Sequence, residues 1–109
     1  LSMPFNGVYL TVCPALKSVR FAARLYSRQE PGLVQRFCND TNSSDYIIKA
    51  FCDEGGGKSG ANCVHFAYDY LVLEPAGVGM HTLAKATLEF VLSVATLADS
   101  CDYLSLDTE

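Results

Sequence analysis

From Met80 to Cys101 the chain runs without a glycine or a proline, and no other stretch constrains its fold as strongly. Alanine and leucine give the segment high helix propensity. Lys85, Glu89, Ser93, Thr96 and Ser100 recur every three or four residues and draw one narrow polar stripe. Leu83, Leu88, Phe90, Val91, Leu92, Val94 and Leu97 fill most of the remaining circumference. A helix this apolar is expected to be covered over more than half of its surface. Its uncharged part runs only from Phe90 to Ala98, well short of the ~20 apolar residues that span a bilayer, so no transmembrane segment is predicted. The segment reads as the core helix of a small domain.

The rest of the chain supplies a sheet for that helix. Phe5–Cys13 alternates Val8, Leu10 and Val12 against Tyr9 and Thr11, as a strand does. Pro14 suits the first position of a helix, and residues 14–28 read as amphipathic, with Leu16, Val19, Ala23 and Tyr26 inward. On that helix Lys17, Arg20, Arg24 and Arg28, spaced three, four and four, line up as a basic stripe. Residues 29–43 hold Pro31, Gly32 and a polar run, and read as loop with a turn of helix near Leu33–Phe37. Asp45–Cys52 and Cys63–Glu74 are rich in β-branched and aromatic residues, and form a hairpin across the glycine-rich Asp53–Asn62. Pro75–Gly79 breaks the chain before the core helix, and 102–107 makes a short closing strand. Residues 1–109 thus form a single α+β domain of β-α-β-β-α-β order: a ferredoxin-like sandwich, with an antiparallel four-stranded sheet and two helices on one face. Val64, Phe66, Tyr68, Tyr70 and Val72 share one face of the third strand, which packs against the helices unless it is exposed for dimerisation.

Five cysteines in 109 residues point to an oxidising compartment. In that topology Cys13, Cys52, Cys63 and Cys101 gather at one edge of the sheet and make two bridges, so the domain is disulfide-stapled. Cys38, at the opposite edge, is the odd cysteine, free or bonded to another chain. Asn39 and Asn42 begin adjacent glycosylation sequons, and the start at Leu1 fits a processed mature form. These features predict a secreted, extracellular glycoprotein.

Net charge is −4, but residues 1–36 carry +4 and the remainder −8. A nucleic-acid partner would call for a more uniformly basic chain, so none is predicted. The basic stripe reads either as a solvated face or as the contact for an acidic partner or an anionic surface. Gly55–Gly60 resembles a phosphate loop. However, the position that requires the first glycine holds Cys52, and a strand follows where a helix is needed, so it reads as a connector whose Lys58 reaches a partner. Cys52, Cys63 and His65 lack the close cysteine pairs of structural zinc sites. Cys63, His65 and Asp69 share a strand face without a complete acid–base set, so neither a cofactor nor an enzyme is predicted.

Over residues 5–107 the element order and cysteine setting resemble the small α/β-sandwich killer toxins of fungal viruses and the fungal secreted effectors of that fold. The resemblance implies a secreted, non-enzymatic protein that binds a target protein or cell surface, with Lys17, Arg20, Arg24 and Arg28 as its contact. Two other readings stand beside it. One is a structural subunit, homo- or heterodimeric through Cys38 or a sheet face; the other is a small enzyme built around His65.

Overall fold

Val19, Phe21, Ala23, Leu25 and Ser27 are buried, while Arg20 and Arg24 between them are exposed. That period of two defines the central strand of the molecule. The computed structural model describes residues 8–44, 48–72 and 79–108. In chain order it has β1 (Tyr9–Cys13), β2 (Ser18–Ser27), α1 (Pro31–Ser44), β3 (Lys49–Asp53), β4 (Asn62–Leu71) and α2 (Met80–Ser100), with short 3-10 turns at Pro14–Leu16, Lys58–Gly60 and Asp102–Leu104. The fold is α+β, with one four-stranded antiparallel sheet of order β1-β2-β4-β3 and two helices.

The predicted helix over 14–28 is therefore a strand, and the order is β-β-α-β-β-α in place of the ferredoxin-like β-α-β-β-α-β. Leu16, Val19, Ala23 and Tyr26 satisfy a helical period, but β4 offers β2 an unbroken ladder from Ser18↔Leu71 to Ser27↔Asn62, and this pairing overrides local preference. Lys17, left-handed at φ 51°, closes the turn from β1 by donating its N–H to the Pro14 carbonyl. The predicted loop over 29–43 is helix α1. Pro31 opens it, the Glu30 carbonyl accepts its first bonds from Leu33 and Val34, and Val34, Phe37, Cys38 and Thr41 bury one face. Both sequons lie inside this helix.

The β3–β4 hairpin, its long connection and α2 form as the sequence predicts. Phe5–Gly7 of the first predicted strand, Asp45–Ile47 of the second, Leu73 and Glu74 of the third, and Pro75–Val78 of the break lie outside the described residues. The closing strand reduces to a 3-10 turn and a single bridge, Asp107 to Tyr26, beside the part of β2 that β1 does not reach.

Both helices pack on the same sheet face. Phe37 of α1 meets Phe66 of β4 edge-on at 6.1 Å, and Phe90 of α2 meets Phe21 of β2 at 6.2 Å; Phe21 in turn stacks on Tyr68 at 5.9 Å. Each such pair contributes roughly 0.5–1.5 kcal/mol beyond its burial. The aromatic face of β4 thus lies against the core. Coverage of α2 is narrower than its composition predicts. Ala86, Phe90, Val91 and Val94 are buried, whereas Met80, Leu88 and Leu92 are exposed, because α1 lies over β3 and leaves the outer side of α2 open. Among the described residues no helix is long and apolar enough to cross a membrane.

The free edges of the sheet differ. At β3 the Asn42 carboxamide of α1 takes the place of a fifth strand: Nδ2 donates to the Ala50 carbonyl at 3.0 Å, and Oδ1 accepts the Ala50 N–H at 2.8 Å. Nothing among the described residues pairs with the outer edge of β1.

Candidate functional site

The face of the sheet away from the helices carries the even-numbered residues of β2, and the register places their neighbours in rows. Arg20 lies opposite Asp69. Ala22, Ala67 and Lys49 form the next row, with Tyr9 beside Ala22. Arg24, His65 and Phe51 follow, then Tyr26, Cys63 and Asp53. Ala22 and Ala67 make a low floor between two exposed aromatic side chains, Tyr9 and Phe51, with Arg24 and Lys49 at its margin.

The two arginines of this face are in different electrostatic states. Arg20 grips Asp69 in a bidentate pair, Nε to Oδ1 at 2.7 Å and Nη2 to Oδ2 at 2.9 Å. Those hydrogen bonds hold the Asp69 carboxyl below its ordinary range. The Arg24 guanidinium carbon sits 4.8 Å from the centre of the Tyr9 ring, a cation–π contact that orients it without neutralising it. Among the described residues no carboxylate pairs with it.

Of the predicted basic stripe, the structure places Arg20 and Arg24 on the outer face of β2, Lys17 in the turn before it and Arg28 just beyond it. Arg20 and Arg24, four apart, share a strand face as readily as a helix face. At ~3.3 Å per residue they stand about 13 Å apart, roughly twice their separation along a helix. Lys58 stands apart in the β3–β4 connection. That connection is pinned: the Gly55 N–H donates to Asn62 Oδ1, Gly56 N–H to the Asp53 carbonyl and Gly57 N–H to the Ala61 carbonyl. Three successive amides of the glycine run are thus already used. Ser59 and Gly60, at φ 57° and 78°, supply the left-handed turn.

The cysteines do not cluster. None of the five is disulfide-bonded, and no pair lies at bonding distance. Cys13 pairs with Ser18 and Cys63 with Tyr26, eight residues apart along β2 and about 26 Å at ~3.3 Å per residue. Cys52 and Cys63 are near in register but on opposite faces, and Cys101 follows α2 on the helix side. The disulfide staple is therefore absent, because β1 runs beside β2 and ends at the far end of the sheet from the start of β4. Cys38, expected to be left over for an interchain bond, is 4% exposed, and burial pushes its thiol up to about 11. It is part of the core.

His65 is half-buried between Arg24 and Phe51, and Asp69 is committed to Arg20, so the two do not form a pair. Among the described residues no group of three or more His, Cys, Asp or Glu is placed to hold a metal. Of the sequon residues, Asn39 is exposed on α1, whereas the Nδ2 of Asn42, the nitrogen that would carry a glycan, is the one donated to Ala50.

No family model and no curated protein matches the sequence. Among solved structures, the chain is similar to YbjN from E. coli, a protein assigned provisionally as a transcription regulator, with a TM-score of 0.62 and 18% identity over 93% of this chain and 73% of that one. The likeness is one of fold. None of the three comparisons points to a killer toxin or a fungal effector.

Proposed function

We propose that this domain is a non-catalytic binding module that docks an acidic segment of a partner protein across the outer face of the sheet. The observation that carries the reading is the contrast between the two arginines: Arg20 is neutralised by Asp69, while Arg24 is held over Tyr9 with its charge unspent. A carboxylate approaching Arg24 meets a small Ala22–Ala67 floor, a second cation at Lys49 and two aromatic side chains to cover the peptide stem. Charge-assisted hydrogen bonds from a guanidinium to a carboxylate are about twice as strong as neutral ones. The island is local in a chain of net charge −4, which favours a short acidic peptide over an extended polyanion. This reading keeps the binding role predicted from the sequence. It drops the toxin-like role, whose two structural supports, paired bridges and β-α-β-β-α-β order, the fold lacks.

Titration of isotopically labelled protein with a glutamate-rich peptide tests it. Amide shifts are expected to concentrate at Ala22, Arg24, His65, Ala67 and Phe51. Arg24→Ala is expected to abolish them, and Lys58→Ala to leave them unchanged. Shifts centred elsewhere, or binding indifferent to Arg24→Ala, refute the reading.

A further inference from the structure

The two edges of the sheet are treated differently, and the difference has a ligand-like logic. The edge of β3 is closed by the Asn42 carboxamide, which satisfies both backbone groups of Ala50. The edge of β1 carries none of the usual safeguards: Tyr9–Cys13 contains no lysine, no other charge and no proline, and no element among the described residues covers it. Its helix-side residues are also bare. Leu10 and Val12 lie in register with buried Phe21 and Val19, yet are 49% and 69% exposed. Leu16 in the adjoining turn is exposed as well.

We infer that β1 pairs antiparallel with β1 of a second copy about a two-fold axis at Thr11, joining two sheets into one of eight strands. The occupant follows from what this edge requires. It needs an extended segment of about five residues without charge, and with apolar side chains on the helix side only. The second copy's β1 is such a segment. With the axis at Thr11, Leu10 of each copy faces Val12 of the other, both pairs lie on the apolar side, and Thr11 meets Thr11 on the outer side. No like charges face each other, because the strand has none. Five paired residues with a leucine–valine ledge bury less than a permanent interface does, so the dimer is reversible, with a dissociation constant on the order of 10–100 µM.

The test uses sedimentation equilibrium of the full chain under reducing conditions, from about 5 to 500 µM, spanning that range. Thr11 is exposed, so its substitution leaves the fold intact, which circular dichroism and the thermal midpoint verify. Thr11→Lys places two ammonium groups directly opposite each other, and Thr11→Glu two carboxylates; each is expected to weaken dimerisation at least tenfold. Mixing the two variants is expected to restore a dimer, of heterodimeric composition, because unlike charges then meet across the axis. A wild-type chain that stays monomeric throughout, a dimer that Thr11→Lys leaves intact, or a mixture that fails to pair would each overturn the proposal.

Discussion

Replacing Asn42 removes the partner that the outward backbone groups of Ala50 have among the described residues. In the native structure its carboxamide makes two hydrogen bonds with Ala50, at 2.8 and 3.0 Å, and Ala50 itself is fully buried. Asn42→Ala leaves the Ala50 N–H and C=O without protein partners. An orphaned buried polar group costs about 1–3 kcal/mol. Asn42 is only half-buried, so water reaches part of the gap, and the combined loss is expected at about 2–4 kcal/mol. Equilibrium urea unfolding reads this as a midpoint lowered by about 1–2 M at an ordinary slope for a chain of this size. Hydrogen exchange at the Ala50 amide is expected to accelerate with it.

Asn42→Asp sharpens the test. One carboxylate oxygen still accepts the Ala50 N–H, but the other faces the Ala50 carbonyl, and the charged form is disfavoured. Its folded pKa is then raised above the unfolded value of about 3.9. A group raised in this way stabilises the fold below the unfolded pKa, where the protonated oxygen donates to the carbonyl, and loses that contribution as pH rises through the folded pKa. Asn42→Asp is therefore expected to lie closer to wild type at pH 4 than at pH 7. If Asn42→Ala unfolds within 0.5 kcal/mol of wild type, the typical effect of an inert surface change, the edge-closing role is refuted.

Three other outcomes follow from the same geometry. Native-state alkylation at pH 8.5 is expected to label Cys13 and spare Cys38, and stability relative to Cys38→Ala is expected to fall by up to about 3 kcal/mol as pH rises from the unfolded thiol value of about 8.5 towards 11, since the raised thiol ionises first in the unfolded chain. The Arg20–Asp69 pair is half-exposed, so a double-mutant cycle is expected to give no more than about 1 kcal/mol, present above the ordinary carboxylate range and lost as pH falls through the depressed Asp69 value. Ser27→Ala removes a 2.7 Å hydrogen bond to the buried Leu104 carbonyl and is expected to cost about 1–3 kcal/mol in thermal or urea unfolding, loosening the C-terminal turn first.

Particular residues explain which parts of this fold could be read from the sequence. The β3–β4 hairpin and α2 were legible because alternation over 63–71 and an unbroken alanine–leucine run each admit one period. Residues 14–28 admit two. Arg20, Arg24 and Arg28 fall four apart, a spacing common to one helix face and one strand face, and the adjacent Ala22 and Ala23 blur the alternation of Val19, Phe21 and Leu25. Only pairing with β4, remote in sequence, decides between them. In α1 the polar Asn39–Ser44 run hid a helical signal already present in Pro31 at the first position and in Val34, Phe37, Cys38 and Thr41 at helical spacing. The site was legible in part: the arginines could be named, but not that Asp69 would neutralise one and Tyr9 orient the other. Those partners come from register across β1, β2 and β4, which no local pattern encodes. The cysteine cluster failed for the same reason, since it depended wholly on the assumed strand order.

The antiparallel β2–β4 ladder at the centre of the sheet also governs how the chain reaches its native state. β1 and β2 are joined through residues 14–17, and β3 and β4 through residues 54–61, so each hairpin closes locally. The ladder between them must bring Ser27 to Asn62 across thirty-four intervening residues that include α1, a closure costing about 3 kcal/mol plus a constant before its contacts repay it. The topology therefore predicts that the β2–β4 ladder forms late, once the inward residues of β2 and β4 align and the Phe21–Tyr68 stack and the burial of Phe66 reward the correct register. Substitutions at Phe21 and Phe66 are then expected to slow folding more than substitutions in the two turns.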